Sequence, residues 1–440
     1  MMEALYDQNH YRRSYFKMAL PVMLGLVVTL IYNLADTFFI AQTNDTDLIA
    51  GVSLCSPLFT TLMAFGNIFG QGGSSLISRL LGKNETEKTA QVSSFCFYAA
   101  LSVGAVLAVI MTVFNTPMLT LFGADEATLP HARNYSMVLS VCAPIVVASF
   151  IHTNLLRCEG MANESMVGTI LGAVVNIILD PILISACGMG AMGAAVATVI
   201  GYLCSVVYCL IILKKKSRYL SVKPSRCRVT GEELRQILGV GISAALSNLM
   251  QSLTVIVMNQ FLLPYGNDKI AAMGIVLKII MIVQLVMTGF TFGGVPIFGY
   301  LFGAGRRKEL KQLLTFCLYF VSLLAVVLTA VLCLLAPQLM GVFVSGEDLI
   351  AAGTEMLRWQ AVTSVFAGVV LLLTVLFQAT GKVIPSFLLS ISRQGVVFVL
   401  ALVVCVHLFG YTGILAAQAA ADVLSTVLAV GLLAGTKVMK

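Results

Sequence analysis

Five ionisable side chains stand inside long apolar stretches of this 440-residue sequence: Asp36, Asp180, Lys278, Arg393 and Asp422. A charge at mid-bilayer costs about 2.5 to 3.5 kcal/mol on translocon-derived scales, so each is a functional group or half of a structural pair. Asp36 stands five residues before the outer end of the first stretch, Asp180 near the outer end of the fifth, and Thr198 one to two turns into the sixth. They share one depth. Asn176 precedes Asp180 by four residues and shares its helical face, while Tyr32 and Asn33 lie one turn from Asp36. Such an oxygen-rich cluster can take up a proton, because low dielectric disfavours two crowded carboxylates, or it can hold a sodium ion. The competing reading is that Asp36 and Asp180 stabilise broken helices, since Pro181 follows Asp180.

Arg393 and Asp422 fall at similar depth in consecutive apolar stretches and read as a buried ion pair that neutralises both charges. Lys278 stands about two turns from an outer end, where it snorkels or faces a wet cavity. Asn248, Gln251 and Asn259 share one helical face, and Gln284 and Gln378 add polar points nearby in sequence order. With Asn33 and Lys278 these form a candidate substrate lining, and hydrogen bonding between helices is the alternative.

Other chemistry finds no support. The eleven cysteines include no C-x-x-C pair, and the four histidines are scattered, so neither a disulfide framework nor a metal set is indicated apart from sodium at Asp36 and Asp180. The string GMGAMG at 188 to 193 matches G-x-G-x-x-G in letters only, because it forms a short turn between apolar stretches rather than a strand-turn-helix unit. No phosphate-loop motif is present, so the chain carries no ATPase of its own. His152 and His407 read as packing residues, and no nucleophile-base pair emerges. The expectation is a protein that is no enzyme and uses no cofactor beyond H+ or Na+ as a coupling ion.

The elements that must position these groups follow from composition. Apolar residues make up 59% and charged residues 11%, against roughly 25% charged in soluble domains, and mean hydropathy is +0.96. The expected fold is an all-α integral membrane protein in a lipid bilayer. Apolar stretches predict twelve transmembrane helices near 18–40, 48–72, 91–115, 134–156, 165–186, 192–213, 236–263, 271–299 with an extension through Gly303, 312–335, 355–378, 384–408 and 412–433. The first is too long for a signal h-region and leads directly into another span, so it stays in the mature chain.

Lysine and arginine fix the expected orientation. Twenty-two lie in loops on the side of the N-terminus and only Arg133, Lys269 and Arg358 on the other, which predicts both termini cytoplasmic in a multi-pass plasma-membrane protein. The net charge of +7 expresses that bias, so a nucleic-acid partner is an unneeded explanation for the run KKKSRYLSVKPSRCR. The expected organisation is a six-helix lobe over 1–213, a basic cytoplasmic linker over 214–235 and a second six-helix lobe over 236–440.

An offset of 221 residues aligns Gly72-Gly73 with Gly293-Gly294, Leu81-Gly82 with Phe302-Gly303, Phe122 with Phe343 and Gly160 with Gly381. A duplication is the natural reading. Six spans per copy leave both copies in one orientation, related by a pseudo-two-fold axis along the membrane normal, which is a transporter architecture.

With these features the sequence resembles the multidrug and toxic compound extrusion family, in its small bacterial branch of the MepA and DinF kind. The resemblance rests on Pro21 with YNLADTFFI at 32 to 40, GQGGSSLISRLLG at 70 to 82, LRCEG at 156 to 160, NIILDP at 176 to 181 and GAAVAT at 193 to 198. PIFGYLFGAG at 296 to 305, QATGK at 378 to 382 and SRQG at 392 to 395 continue it in the second half. It implies a V-shaped pair of six-helix lobes around a central cavity, exporting bulky, often cationic organic compounds in exchange for protons or sodium. The family's cation site maps onto Asp36, Asn176, Asp180 and Thr198, with Tyr32 beside it. Some relatives place acids in spans 7 and 10, whereas this chain has Asn248 and Gln251 and no acid between Trp359 and Gly381.

The function expected is multidrug efflux by alternating access, with ion binding at Asp36 and Asp180 and drug binding excluding one another. A flippase for lipid-linked saccharides is the alternative of related architecture. A non-transporting membrane scaffold is the alternative from another class, disfavoured by the repeat and the buried acids.

Overall fold

No water serves backbone N–H and C=O groups in a bilayer core, so an apolar chain crosses it only as a structure that satisfies them internally. The computed structural model describes residues 11–343, 346–436 and 438, and among these there is no strand. His10, Lys437 and Lys440 lie outside the described residues, as do the outermost bounds of the two expected lobes.

The first half contains α1 (Tyr11–Ala41), α2 (Thr46–Gly82), α3 (Thr86–Val113), α4 (Leu129–Val141 with Ala143–Cys158), α5 (Ala162–Ala186) and α6 (Gly190–Lys216). The second contains α7 (Gly231–Tyr265), α8 (Asp268–Gly303), α9 (Arg307–Phe343), α10 (Glu347–Ala379) and the stretch Val383–Gly435. That stretch is too long for one crossing, and Gly410 within it has φ 56° and ψ −127°. A Cβ on Gly413 would strike the Cys405 backbone, a contact that a straight helix cannot make over eight residues. The chain therefore turns back at Gly410 into α11 (383–409) and α12 (411–435), giving twelve spans among the described residues.

The duplication is visible in the ends of the helices. At the same offset of 221, Ala41 matches Leu262, Thr86 matches Arg307, Cys158 matches Ala379 and Ala162 matches Val383, each pair ending or starting a helix. The turns agree as well: Asn84 and Gly305 have φ of 60° and 71°, and Gly160 and Gly381 have 80° and 70°. Left-handed backbone of this kind suits Asn and Gly, which explains why those residue types occupy the matched positions.

Several boundaries differ from the apolar pattern for local reasons. α7 begins at Gly231 rather than near 236, because the Thr230 hydroxyl accepts from the Glu233 N–H while the Glu233 carboxylate accepts from the Thr230 N–H, a capping box. α4, expected as one span near 134–156, starts at Leu129 and bends by 57° after Val141. Pro144 lacks the N–H that would bond the Ser140 carbonyl.

The helices group into two units. One comprises Leu24–Gly241, and the other comprises Ile242–Lys440 with the early part of α1 as far as Met23. Tyr15 anchors that early part: its hydroxyl donates to the Phe290 carbonyl at 2.8 Å, amid edge-on contacts with Phe16, Phe316 and Phe320. The connection after α6 is pinned to the first unit. The Glu159 carboxylate accepts from the N–H groups of Arg218 and Tyr219 at 3.2 and 2.6 Å, and the hydroxyls of Ser93 and Tyr98 donate to the carbonyls of Ser221 and Val222. Burial pushes the Glu159 carboxyl above its ordinary range, while the Ser217 hydroxyl and these N–H groups pull it down. In the second unit, Met258, Met273, Met340, Phe398 and Leu415 lie in one apolar core.

Candidate functional site

The deepest polar cluster of the first unit begins with two glycines. A Cβ on Gly172 of α5 would lie 2.8 Å from the Gly201 carbonyl of α6, and one on Gly201 would lie 2.6 Å from the Gly172 carbonyl. Only hydrogen side chains let the two backbones approach this closely. One turn from that crossing, α5 presents Asn176 and α6 presents Thr198, and their side chains meet at 3.4 Å. Asn176 also reaches Asp180 at 3.3 Å. Rotating the Asn176 amide by half a turn improves both partnerships, with its nitrogen donating to Asp180 at 3.2 Å and its oxygen accepting from the Thr198 N–H at 3.2 Å. Asp180, Asn176 and Thr198 are all buried. Past Asp180 the helix widens into a π-turn over Pro181–Ala186, a distortion often found at functional sites.

Asp36 of α1 lies within electrostatic reach of Asp180, Tyr135 and Tyr202. Its Oδ1 is buried without a hydrogen-bond partner. The Tyr32 and Tyr202 hydroxyls lie 3.3 Å apart. Phe59 and Phe150 pack their rings against Tyr202, both at 6.1 Å between centroids. The structure thus joins Asp180, Asn176 and Thr198 by hydrogen bonds and leaves Asp36 in electrostatic reach of Asp180 and of Tyr32, which bonds Tyr202 instead. It adds Tyr202 and Tyr135, which the sequence reading missed. Tyr202 follows Thr198 by one helical turn and was legible as the same face; Tyr135 comes from the part of α4 before its bend, and no spacing rule links it to Asp36.

Two carboxylates within electrostatic reach repel one another, so the arrangement favours positive charge: a proton on one oxygen, or a small cation among the oxygens of Asp36, Asp180, Asn176 and Thr198. The repeat carries this chemistry only once. At offset 221 the positions of Asp36, Asn176, Asp180 and Thr198 are Val257, Val397, Ala401 and Ala419. Val257, Val397 and Ala401 pack into the apolar core of the second unit.

Other candidates are placed as follows. Arg393 donates to Asp422 at 3.0 Å, and Gln418 donates to the same oxygen at 3.1 Å. Asn33 is exposed, and its carbonyl accepts from Thr37. Asn248, Asn259 and Gln284 are half-buried, Gln251 and Lys278 are exposed, and Gln378 is buried next to the end of α10. No group of three or more potential metal-ligating residues occurs among the described residues.

Comparison with known proteins matches both halves of the chain. The family model MatE covers residues 21–182 and again 243–403. The multidrug export protein MepA of Staphylococcus saprophyticus is 32% identical over 410 residues, spanning 93% of this chain and 90% of that protein. MepA of Staphylococcus aureus strain MSSA476 is 30% identical over the same length and shares of both chains. Among solved structures, an outward-facing multidrug resistance transporter of the MATE family superposes with a TM-score of 0.89 at 26% identity, over 96% of this chain and 94% of that one. A MOP-superfamily transporter from Pyrococcus furiosus shares the fold with a TM-score of 0.89 at 24% identity, over 97% and 96% of the two chains.

Proposed function

The chain belongs to the MatE family, and from that membership we propose that it is a multidrug efflux antiporter that exports bulky, cationic organic compounds in exchange for protons or sodium. Both termini are cytoplasmic in this reading, as the lysine and arginine bias requires. The observation that carries it is the buried Asp180, held by Asn176 beside Thr198 and within electrostatic reach of the half-buried Asp36. Two carboxylates without a lysine or arginine partner form a site whose charge must be balanced by something mobile. A coupling ion balances it in one state and is released in the other, and drug binding favours the state that releases it.

Magnitudes constrain the exchange. One positive charge moving inward across 100 mV gains about 2.3 kcal/mol, but a one-for-one swap with a monovalent cationic drug moves no net charge. The membrane potential then contributes nothing. A hundredfold drug gradient requires about 2.7 kcal/mol, so the ion gradient must supply it or a second ion must travel with the first.

The test is efflux of a fluorescent organic cation from vesicles with imposed proton or sodium gradients. Wild type should extrude the dye and stop when the matching ionophore collapses the gradient. Asp36→Asn and Asp180→Asn should each reduce coupled efflux at least tenfold. Undiminished efflux in both variants contradicts the mechanism, and no dye movement by wild type under any gradient contradicts the substrate class.

A further inference from the structure

The second unit has lost the acids of the first, yet its own polar centre lies one helical turn away in the repeat. At offset 221, Arg393 stands where Gly172 does and Asp422 where Gly201 does. The close crossing of two glycines in the first unit is replaced in the second by an ion pair between α11 and α12. Asp422 is fully buried, and Arg393 and Gln418 both use its Oδ1, leaving Oδ2 buried without a partner.

That oxygen has company. Ser425 follows Asp422 by three residues on α12, Ser390 precedes Arg393 by three on α11, Ser386 lies one turn further, and Ser364 stands beside Thr363 on α10. All four hydroxyls are buried and lack a partner. By register each lies from the ion pair toward the inner end of its helix. On the outer side of the pair, Gln360 Nε2 and the Thr354 hydroxyl of α10 are likewise buried and unpartnered. Buried polar groups without protein partners are satisfied by ordered water, and water beside an unpartnered carboxylate oxygen allows proton exchange. The backbone near Arg393 is distorted as well: Ser392–Val396 form a π-turn, Gly395 has non-helical angles of −122° and −110°, and the Gln394 carbonyl accepts from the Thr254 hydroxyl at 2.5 Å.

We propose that Asp422 is a second proton-exchange site, in the second unit, with Arg393 as its positioning residue. A proton arriving as hydronium along ordered water bonds to Oδ2 and leaves a water molecule behind; the carboxyl becomes neutral while Arg393 keeps its charge, now solvated by water and hydroxyls, and release to the inner side reverses these steps. Arg393 on Oδ1 repels a metal cation, so the site takes a proton rather than sodium, and it repels a proton passing straight through. Among the described residues, Arg393 is the charged group that acts on Asp422, with Thr363 of α10 and Gln418 of α12 contributing neutral contacts. The transport consequence rests on the efflux reading above: a second proton makes exchange with a monovalent cation sensitive to membrane potential.

Infrared difference spectra of the purified full-length protein, taken between acid and alkaline buffer, read the carboxyl directly and require no transport. The variant Asp36→Asn with Asp180→Asn should retain a protonated-carboxyl band that disappears when Asp422→Asn is added. Asp422→Glu, which keeps the acid, should shift the band and guards against a misfolded triple variant. No band attributable to Asp422 in either form means a permanently ionised structural pair and overturns the proposal. In vesicles, the dye gradient reached at 100 mV inside-negative should fall roughly fortyfold in Arg393→Met with Asp422→Leu, while exchange driven by a pH gradient persists. An unchanged response to potential in that variant, with dye efflux intact, also overturns it. Dye transport absent in wild type with the band present leaves Asp422 as a proton site and removes the efflux reading alone.

Discussion

Asn176 is the residue through which Asp180 is tied to α6. It contacts Asp180 and Thr198 together, so its amide fixes one carboxylate relative to the other helix. Hydrogen bonds to charged groups contribute about 1.5 to 3 kcal/mol, which corresponds to roughly ten- to hundredfold in an ion affinity. Asn176→Leu should therefore raise the external ion concentration needed for half-maximal efflux by at least about tenfold. Tyr202→Phe removes a bond between neutral hydroxyls, Tyr32 to Tyr202, and should change it only a few fold. Equal effects of the two substitutions, in a titration of efflux against proton or sodium, would show that the amide has no special role. At this scale much was legible: Asp36, Asp180 and their polar neighbours announce themselves by being ionisable or amide groups among apolar residues. The aromatic wall was not, because Tyr135, Phe59 and Phe150 are indistinguishable in sequence from ordinary packing residues.

At the scale of helices, the site depends on how closely α5 and α6 cross. Gly201→Leu puts a side chain where the Gly172 carbonyl lies 2.6 Å away, and only backbone movement relieves it. Overpacking of this kind costs about 1 to 3 kcal/mol, and here it also separates Asn176 from Thr198. The expected result is a lower melting temperature in detergent together with weakened coupling. Gly274→Ala is the control: nothing lies within 4 Å of its Cβ, so stability should hold or rise slightly. Apolar run lengths located all twelve spans, since the requirement for internal hydrogen bonding leaves helices as the answer. They did not reveal the bend in α4, where the missing N–H of Pro144 acts within a run that stays apolar throughout. They also missed the early start of α7, although Thr230 and Glu233 spelled a capping box in the sequence.

For the molecule as a whole, the duplication and the charge bias make one prediction together. Cys187 is exposed next to the short turn before α6, and Cys227 lies in the basic connection before α7, so they fall on opposite faces if the lysine and arginine bias sets the topology. A membrane-impermeant thiol reagent should label Cys187 in intact cells and Cys227 only in inside-out vesicles. The reverse pattern would place both termini outside. The two copies have meanwhile diverged in opposite directions: one keeps unpaired acids beside a glycine crossing, the other keeps apolar residues beside an ion pair.

The sequence by itself determined that this chain lives in a membrane, how many times it crosses, that it is a doubled unit, and which side chains are out of place in lipid. Those properties are linear: run length, offset and the count of charges on each side need no knowledge of distances between helices. Tertiary structure decided which of the misplaced charges are alone and which are paired. Asp422 meets Arg393, and Asp36 comes within electrostatic reach of Asp180, because of where helices cross, and the crossing points are set by the glycines, prolines and turns that pack each unit, not by the spacing of the charges themselves.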